Sequence, residues 1–270
     1  MTDERPASAA HGQHESALRG DGRRTLDDAA AYLLPHLKPG VSMLDIGCGP
    51  GTITADLAQR VAPGRVLAVD LFADVVGVAR AETERRGLTN VAFATADVHR
   101  LDIPDDTFDV VHAHQVLQHV ADPVRALREM RRVCRPGGIV AARDTDYAGF
   151  AWFPELPALD LWRDLYRRAA RANRGEPDAG RRLLSWALAA GFDDVIPTGS
   201  VWCYATPATR EWWGGMWADR ILHSGVAREL LHLGLATPAQ LDEIAAAWRQ
   251  WAAAPDGWLS IPHGEILCRA

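Results

Sequence analysis

Lysine is almost missing from this chain. Of 29 basic residues only Lys38 is a lysine, so the Tyr-x-x-x-Lys pair used by many nicotinamide-dependent oxidoreductases cannot be assembled. Cysteine is sparse and scattered: Cys48, Cys134, Cys203 and Cys268 form no C-x-x-C pair. That spacing argues against a zinc knuckle or a redox pair and predicts reduced thiols. No apolar run reaches 18 residues, and the opening MTDERPASAAHGQHESALRG lacks a secretory apolar core. A soluble, cytoplasmic protein with no membrane partner is therefore expected. Positive charge is also short, the formal net charge being −6. Nucleic acid and anionic lipid both reward a basic face, so neither is an expected partner.

What is present is core-forming material, 48% hydrophobic residues, enough for one large domain or a domain with an appended part. TLDDAAAYLLPHLKPG carries Leu26, Ala30, Leu33, Leu34 and Leu37 on one stripe and predicts a helix closed by Gly40. Short apolar runs then recur at Val41–Leu44, Val66–Val69, Val91–Ala94, Val110–Ala113 and Ile139–Ala142. Amphipathic segments separate most of them, which predicts a parallel sheet wound by right-handed crossovers. ADPVRALREMRRVCRPGG predicts a helix with Asp122 as cap and Pro123 in its first turn. Past residue 144 the character changes, and all ten tryptophans lie beyond position 150. The expected division is 1–40 as an N-terminal helix or lid, 41–147 as a cofactor-binding core, and 148–270 as a substrate-shaping helical region plus final strands.

LDIGCGPGT, behind the first predicted strand, places Gly47, Gly49 and Gly51 at alternate positions. Side chains must be absent where a backbone approaches a nucleoside closely. The dinucleotide fingerprint G-x-G-x-x-G fails by one place, because position 52 is threonine. Asp70 ends the next strand in VLAVDL, 19 residues beyond Gly51. A carboxylate there suits ribose hydroxyls of either NAD or S-adenosylmethionine. Asp45 separates the two: a carboxylate beside the turn repels a pyrophosphate but suits a cofactor bearing ammonium and sulfonium groups. The alternative is a carboxylate that merely satisfies loop amides.

These segments, with ATADVHRLDIPDDTFDVV and the RPGG turn, resemble the class I S-adenosylmethionine-dependent methyltransferases, in family order over roughly residues 40–145. AAAYLLPHLKPG and VLQHVADPVRALREMRRVCRPGG look closest to the ubiquinone/menaquinone-biosynthesis type, a subgroup with many natural-product O-, N- and C-methyltransferases. The resemblance implies a Rossmann-like, doubly wound α/β fold of seven strands. Its last strand, antiparallel, would be GEILCRA, and a helical, Trp-rich insertion would cover the substrate. It also implies S-adenosylmethionine as cofactor. Gly47 and Gly49 would face its amino-acid end and ribose, Asp70 the ribose hydroxyls, and Leu71 an adenine face. Asp97 would take the adenine amino group, the backbone of Val98 would meet the ring, and His114 and Gln115 would lie beside the methionyl part.

Methyl transfer is a displacement, so alignment does much of the work, about 7 kcal/mol or more in favourable cases. A general base is optional and adds about 10²–10⁴-fold where the acceptor is a weak acid. Candidates at the carboxyl ends of the strands are Asp144 and Tyr147 in RDTDY and His119 in LQHV. Asp146, His112 and His263 are secondary; for the histidines and acids the alternative is a structural hydrogen bond or a loop cap. No third acid matches Asp144 and Asp146, so no metal is expected. Trp202, Tyr204, Trp212, Trp213, Met216 and Trp217 crowd one span. They suit the core of a helical subdomain, an aromatic-walled pocket, or both. The segment with His14, Arg19 and Arg24 is a candidate lid, the alternative being an unordered terminus.

The expected function is methyl transfer to oxygen or carbon, less readily nitrogen, of a small apolar or aromatic metabolite. A homodimer is left open. Rival readings are a fold of this type recruited for a non-methylating role and, less favoured, an NAD-dependent oxidoreductase. Nucleic-acid methylation fits poorly, because HAHQ stands where an Asn/Asp-Pro-Pro-aromatic motif would follow the fourth strand.

Overall fold

Short apolar strands separated by amphipathic helices share a core only if the strands form a sheet with helices on both faces. The computed structural model, which describes residues 24–270, has that arrangement. The strands are β1 Met43–Ile46, β2 Val66–Asp70, β3 Val91–Thr95, β4 Phe108–His114, β5 Cys134–Thr145, β6 Ala151–Phe153, β7 Val195–Tyr204 and β8 Trp258–Arg269. The order runs β3-β2-β1-β4-β5-β8, with β7 on the far side of β8. β1 to β5 are mutually parallel, and β8 runs antiparallel to β5 and β7. The antiparallel last strand expected at GEILCRA is therefore present, within a longer β8. The three-residue β6 makes eight strands instead of seven; it extends the line of β5 beside the start of β8.

The helices are α1 Leu26–Ala30, α2 Thr52–Val61, α3 Ala73–Arg85, α4 Pro123–Val133, α5 Pro157–Ala172, α6 Leu183–Ala189, α7 Pro207–His223, α8 Gly225–His232 and α9 Pro238–Ala253. Local chemistry sets several starts. Asp122 accepts the Arg125 amide with Pro123 in the first turn of α4, and Thr237 forms a capping box with Gln240 at α9; such caps contribute about 1 kcal/mol each. The first predicted helix is shorter than its stripe suggested. Five α residues give way to a 3-10 turn over Ala31–His36, because Pro35 has no N–H to donate back along an α-helix. The run at Val91–Ala94 forms a strand, but as the sheet's edge it is largely exposed.

Strand alternation sorts side chains between two faces. Leu44, Val111, Ala113, Val140, Ala142 and Ile266 pack under α4 and α6. Met43, Val110, Ile139 and Ala141 pack under α1 and α2. A third core belongs to the helical region, where α5, α7 and α9 bury Trp162, Trp217, Trp248 and Trp251. Trp162 meets Trp217 and Trp248 edge-on at ring distances of 4.6 and 4.9 Å. Each such side chain removes enough apolar surface to stabilise the fold by roughly 4–6 kcal/mol. Among the described residues no helix is long and apolar enough to cross a membrane.

Candidate functional site

β1 lies between β2 and β4, so the winding direction reverses there and a crevice opens at the carboxyl ends of β1 and β4. The glycine turn leaves β1 at this point. Gly47 and Cys48 donate their amides to the Val69 carbonyl at 2.8 and 3.0 Å, which ties the turn to β2. Gly47 backs onto Val116. Gly49 has φ +52°, and a Cβ built there meets nothing; bare main chain in a left-handed conformation faces open space. Gly51 serves a different end. A Cβ on it would stand 2.7 Å from the Cα and 2.9 Å from the carbonyl oxygen of Ala79. The glycine that lets a helix pack closely is thus at 51, one place before the dinucleotide fingerprint would put it.

Asp70 closes the turn from the side. Its Oδ2 accepts the Gly49 amide at 3.1 Å and its Oδ1 the Phe72 amide at 3.3 Å. Burial raises its pKa above the usual carboxylate range, partly offset by the amides of Gly49, Phe72 and Leu71. Leu71 is exposed at the tip of β2. Asp97 follows β3, where its Oδ1 accepts the His99 amide at 2.9 Å and meets His99 Nδ1 at 2.8 Å. Partial burial works to raise that carboxyl, but the His99 bonds and Arg125 outweigh it and hold the pKa below the usual range. The Asp97 side chain remains 55% exposed, while Val98 is buried beneath.

Among the described residues Asp45 is bonded to side chains instead of loop amides. Its carboxylate is buried under the turn, Oδ1 at 2.8 Å from His112 Nδ1 and Oδ2 accepting the Thr54 hydroxyl at 2.6 Å. It holds β1, β4 and α2 together, and its charge reaches Asp70 and Cys48 through space.

On the α1 face, apolar side chains give way to polar ones toward the carboxyl ends: His112 and His114 on β4, Arg143 and Thr145 on β5, Glu265 and His263 on β8. Registry sets His114 beside Arg143, Arg143 beside Glu265, and Glu265 beside Thr198 of β7. Buried Arg143 and Glu265 pair at 3.2 Å. Glu265 also accepts the hydroxyls of Ser200 at 2.5 Å and Thr198 at 2.8 Å. Gln115, at φ +54°, donates Nε2–H to Thr145 Oγ1 at 2.6 Å and to His263 Nε2 at 3.0 Å. His263 Nδ1 in turn donates to the Ile261 carbonyl at 3.1 Å, which assigns its tautomer. Burial, then Arg143 and Arg24, push its pKa well below the usual value. His114 is lowered likewise by burial, Arg24 and Arg143, and among the described residues neither of its ring nitrogens has a hydrogen-bond partner.

The three candidate catalytic groups sit elsewhere. Asp144 is fully buried on the opposite face of β5, with Oδ1 accepting the Gln118 amide at 3.0 Å and Oδ2 unpartnered among the described residues. Burial pushes its pKa up to about 8. His119 is half-buried and joined to Asp144 only indirectly, its Nε2 lying 2.9 Å from Gln118 Nε2. Tyr147 belongs to the helical core, stacked on Tyr166 at 4.1 Å and Phe150 at 4.6 Å. Asp146 is held by Arg181 at 2.5 Å. Among the described residues no group of three or more His, Cys, Asp or Glu side chains is placed to hold a metal.

Of the crowded aromatics, Trp213 and Trp217 are helical core, with Tyr204, Trp212 and Met216 packed against it. Trp202 also reaches the polar row, 4.3 Å from His263 and 4.6 Å from the Arg143 guanidinium. Arg24 lies 5.1 Å from the same ring; His14 and Arg19 fall outside the described residues. Arg143 and Glu265, paired in the row, were not among the expected site residues. A charge inside an otherwise apolar strand was the available signal, in AARDT and in GEILC alike.

The family described as "Methyltransferase domain" matches residues 37–174. An uncharacterised methyltransferase of Schizosaccharomyces pombe is 34% identical over 255 residues, covering 90% of both chains. The ubiquinone/menaquinone biosynthesis C-methyltransferase UbiE of Idiomarina loihiensis is 32% identical over 174 residues, covering 59% of this chain and 69% of that one. Among solved structures, the YcgJ protein of a Bacillus species matches with a TM-score of 0.58 at 20% identity, over 88% of this chain and 97% of that one; this likeness concerns the fold.

Proposed function

The chain belongs to the methyltransferase-domain family, and from that premise we propose that it transfers a methyl group from S-adenosylmethionine to an oxygen or carbon of a small, apolar or aromatic metabolite. One observation carries the reading: bare main chain at Gly49, with the Asp70 carboxylate bonded to its amide, at the point where the sheet reverses its winding. The residues fit the donor. Gly47 and Gly49 would lie along its amino-acid end and ribose, Asp70 would accept the ribose hydroxyls, and Leu71 would cover an adenine face. Asp97 and the Val98 backbone would take the adenine edge, with His114 and Gln115 beside the methionyl part. When bound, S-adenosylmethionine supplies a methyl group on a positively charged sulfur, open to in-line attack.

The chain's own task is then alignment and exclusion of water. The field of Asp45 beneath the turn favours positive charge above it. Asp144, protonated below about pH 8, works as a positioning group that fixes the Gln118 loop, and His119 extends that support. Tyr147 anchors the helical region to the sheet. A general base is optional for an acceptor that arrives ionised. Titration calorimetry with S-adenosylhomocysteine tests the donor site, and transfer of labelled methyl from S-adenosylmethionine into a metabolite extract tests the reaction. Absence of S-adenosylhomocysteine binding by folded protein would overturn the reading.

A further inference from the structure

Gln115 carries an oxygen that the fold positions and does not use. The residue leaves β4 in a left-handed conformation, φ +54°, which residues with a side chain seldom adopt. Its main-chain N–H donates to the Arg143 carbonyl at 2.7 Å, which holds the chain there. Strain of this kind persists where surrounding bonds over-determine it, and it concentrates at ligand sites. Gln115 itself is half-buried.

The side-chain amide can point only one way. His263 Nδ1 lies 3.1 Å from the Ile261 carbonyl, an oxygen that only accepts, so Nδ1 carries the ring proton. Burial, then Arg143 and Arg24, keep the ring neutral. Its Nε2 is therefore a lone pair in need of a donor. The group 3.0 Å away is the Gln115 amide, whose nitrogen must be the atom that faces it. The second N–H goes to Thr145 Oγ1 at 2.6 Å. Trp202, 4.3 Å from the His263 ring, packs the imidazole in place. Both N–H groups are thus engaged, and among the described residues nothing donates to Oε1. A carbonyl oxygen fixed in direction at the rim of a crevice suits a ligand O–H or N–H.

Strand order says which ligand. Thr145 and His263 are partners at the carboxyl ends of β5 and β8. β5 lies two strand spacings, about 10 Å, from β1 and its glycine turn. The side chain therefore reaches away from the donor's place over Gly47 and Gly49, toward the side of the crevice left for the acceptor. We propose that Gln115 Oε1 is a positioning group that accepts a hydrogen bond from a hydroxyl or N–H of the acceptor. It would thereby select acceptors carrying such a hydrogen over ethers of the same shape. The inference rests on the methyltransferase reading, and its test separates the two.

Folded full-length protein is saturated with S-adenosylhomocysteine and titrated at neutral pH with naphthol, naphthylamine and methoxynaphthalene. Naphthol or naphthylamine should bind about threefold to tenfold more tightly than methoxynaphthalene, and which of them does so identifies O–H or N–H. Gln115→Met, similar in length but without an acceptor, should erase that preference and leave S-adenosylhomocysteine affinity unchanged. If it does not fold, Gln115→Asn, which withdraws the oxygen by one methylene, takes its place. Nitrogen-edited NMR of His263 needs no acceptor and should show a neutral ring protonated at Nδ1; a ring protonated at Nε2 would turn the amide over and refute the assignment. No preference for either donor probe, no binding of any of the three, or a preference that survives in the variant sinks the positioning role alone. A variant that instead loses S-adenosylhomocysteine affinity gives the oxygen to the methyl donor and sinks it too. Failure of the wild-type protein to bind S-adenosylhomocysteine sinks the methyltransferase reading and this inference with it.

Discussion

Asp70→Ala is the perturbation that bears most directly on the donor site. In the free protein the carboxylate accepts two amide bonds, from Gly49 at 3.1 Å and Phe72 at 3.3 Å. Both are long, so their loss should cost the fold no more than about 1–2 kcal/mol. The bound state loses more, because two ribose hydroxyls lose a charged acceptor. Hydrogen bonds to charged groups are worth about 1.5–3 kcal/mol, which converts to roughly 13- to 160-fold in the S-adenosylhomocysteine dissociation constant. Calorimetry at neutral pH reads the affinity, and a thermal melt on the same sample separates it from stability. The raised pKa of Asp70 adds a second readout. Protonation removes the acceptor, so wild-type affinity should begin to fall at a higher pH than an ordinary aspartate would allow, and Asp70→Ala should lack that fall. Wild-type affinity in the variant, with folding intact, would place the ribose elsewhere and refute the assignment.

Three further outcomes follow from particular contacts. Gly51→Ala forces a left-handed residue against the backbone of Ala79 and should destabilise by about 2 kcal/mol or more, read as a lower urea midpoint; an unchanged midpoint would mean that α2 and α3 are not in close contact. Asp144 keeps its proton up to about pH 8 in the fold but ionises near pH 4 when unfolded. Its contribution therefore declines as pH rises between those values. Stability should be lower at pH 8.5 than at pH 5.5, and Asp144→Asn should flatten that difference in urea titrations. Trp248→Ala, in the middle of the helical core, should cost about 3–5 kcal/mol; a shift under 1 kcal/mol by chemical denaturation would show that this core is not packed as described.

Much of the sheet half was legible from the chain because its signals are local. Apolar runs marked the strands, and Asp122-Pro123 marked a helix start whose cap formed as expected. Alternating glycines and a strand-end acid marked the turn and its neighbour. These depend on backbone φ, on caps and on period-two alternation, each decided within a few residues. Where a helix was cut short, a single proline inside the stripe carried the information.

The polar row and the fate of Asp45 required the tertiary structure. Thr54 and His112 reach Asp45 from α2 and β4, and no spacing rule connects those positions. Arg143 and Glu265 meet because β8 runs back beside β5. Strand pairing across more than a hundred residues decides such neighbours, and burial then decides their charge. Local sequence determined where the chain bends and which strands it can make; the packing of remote strands decided which side chains face one another and in what protonation state.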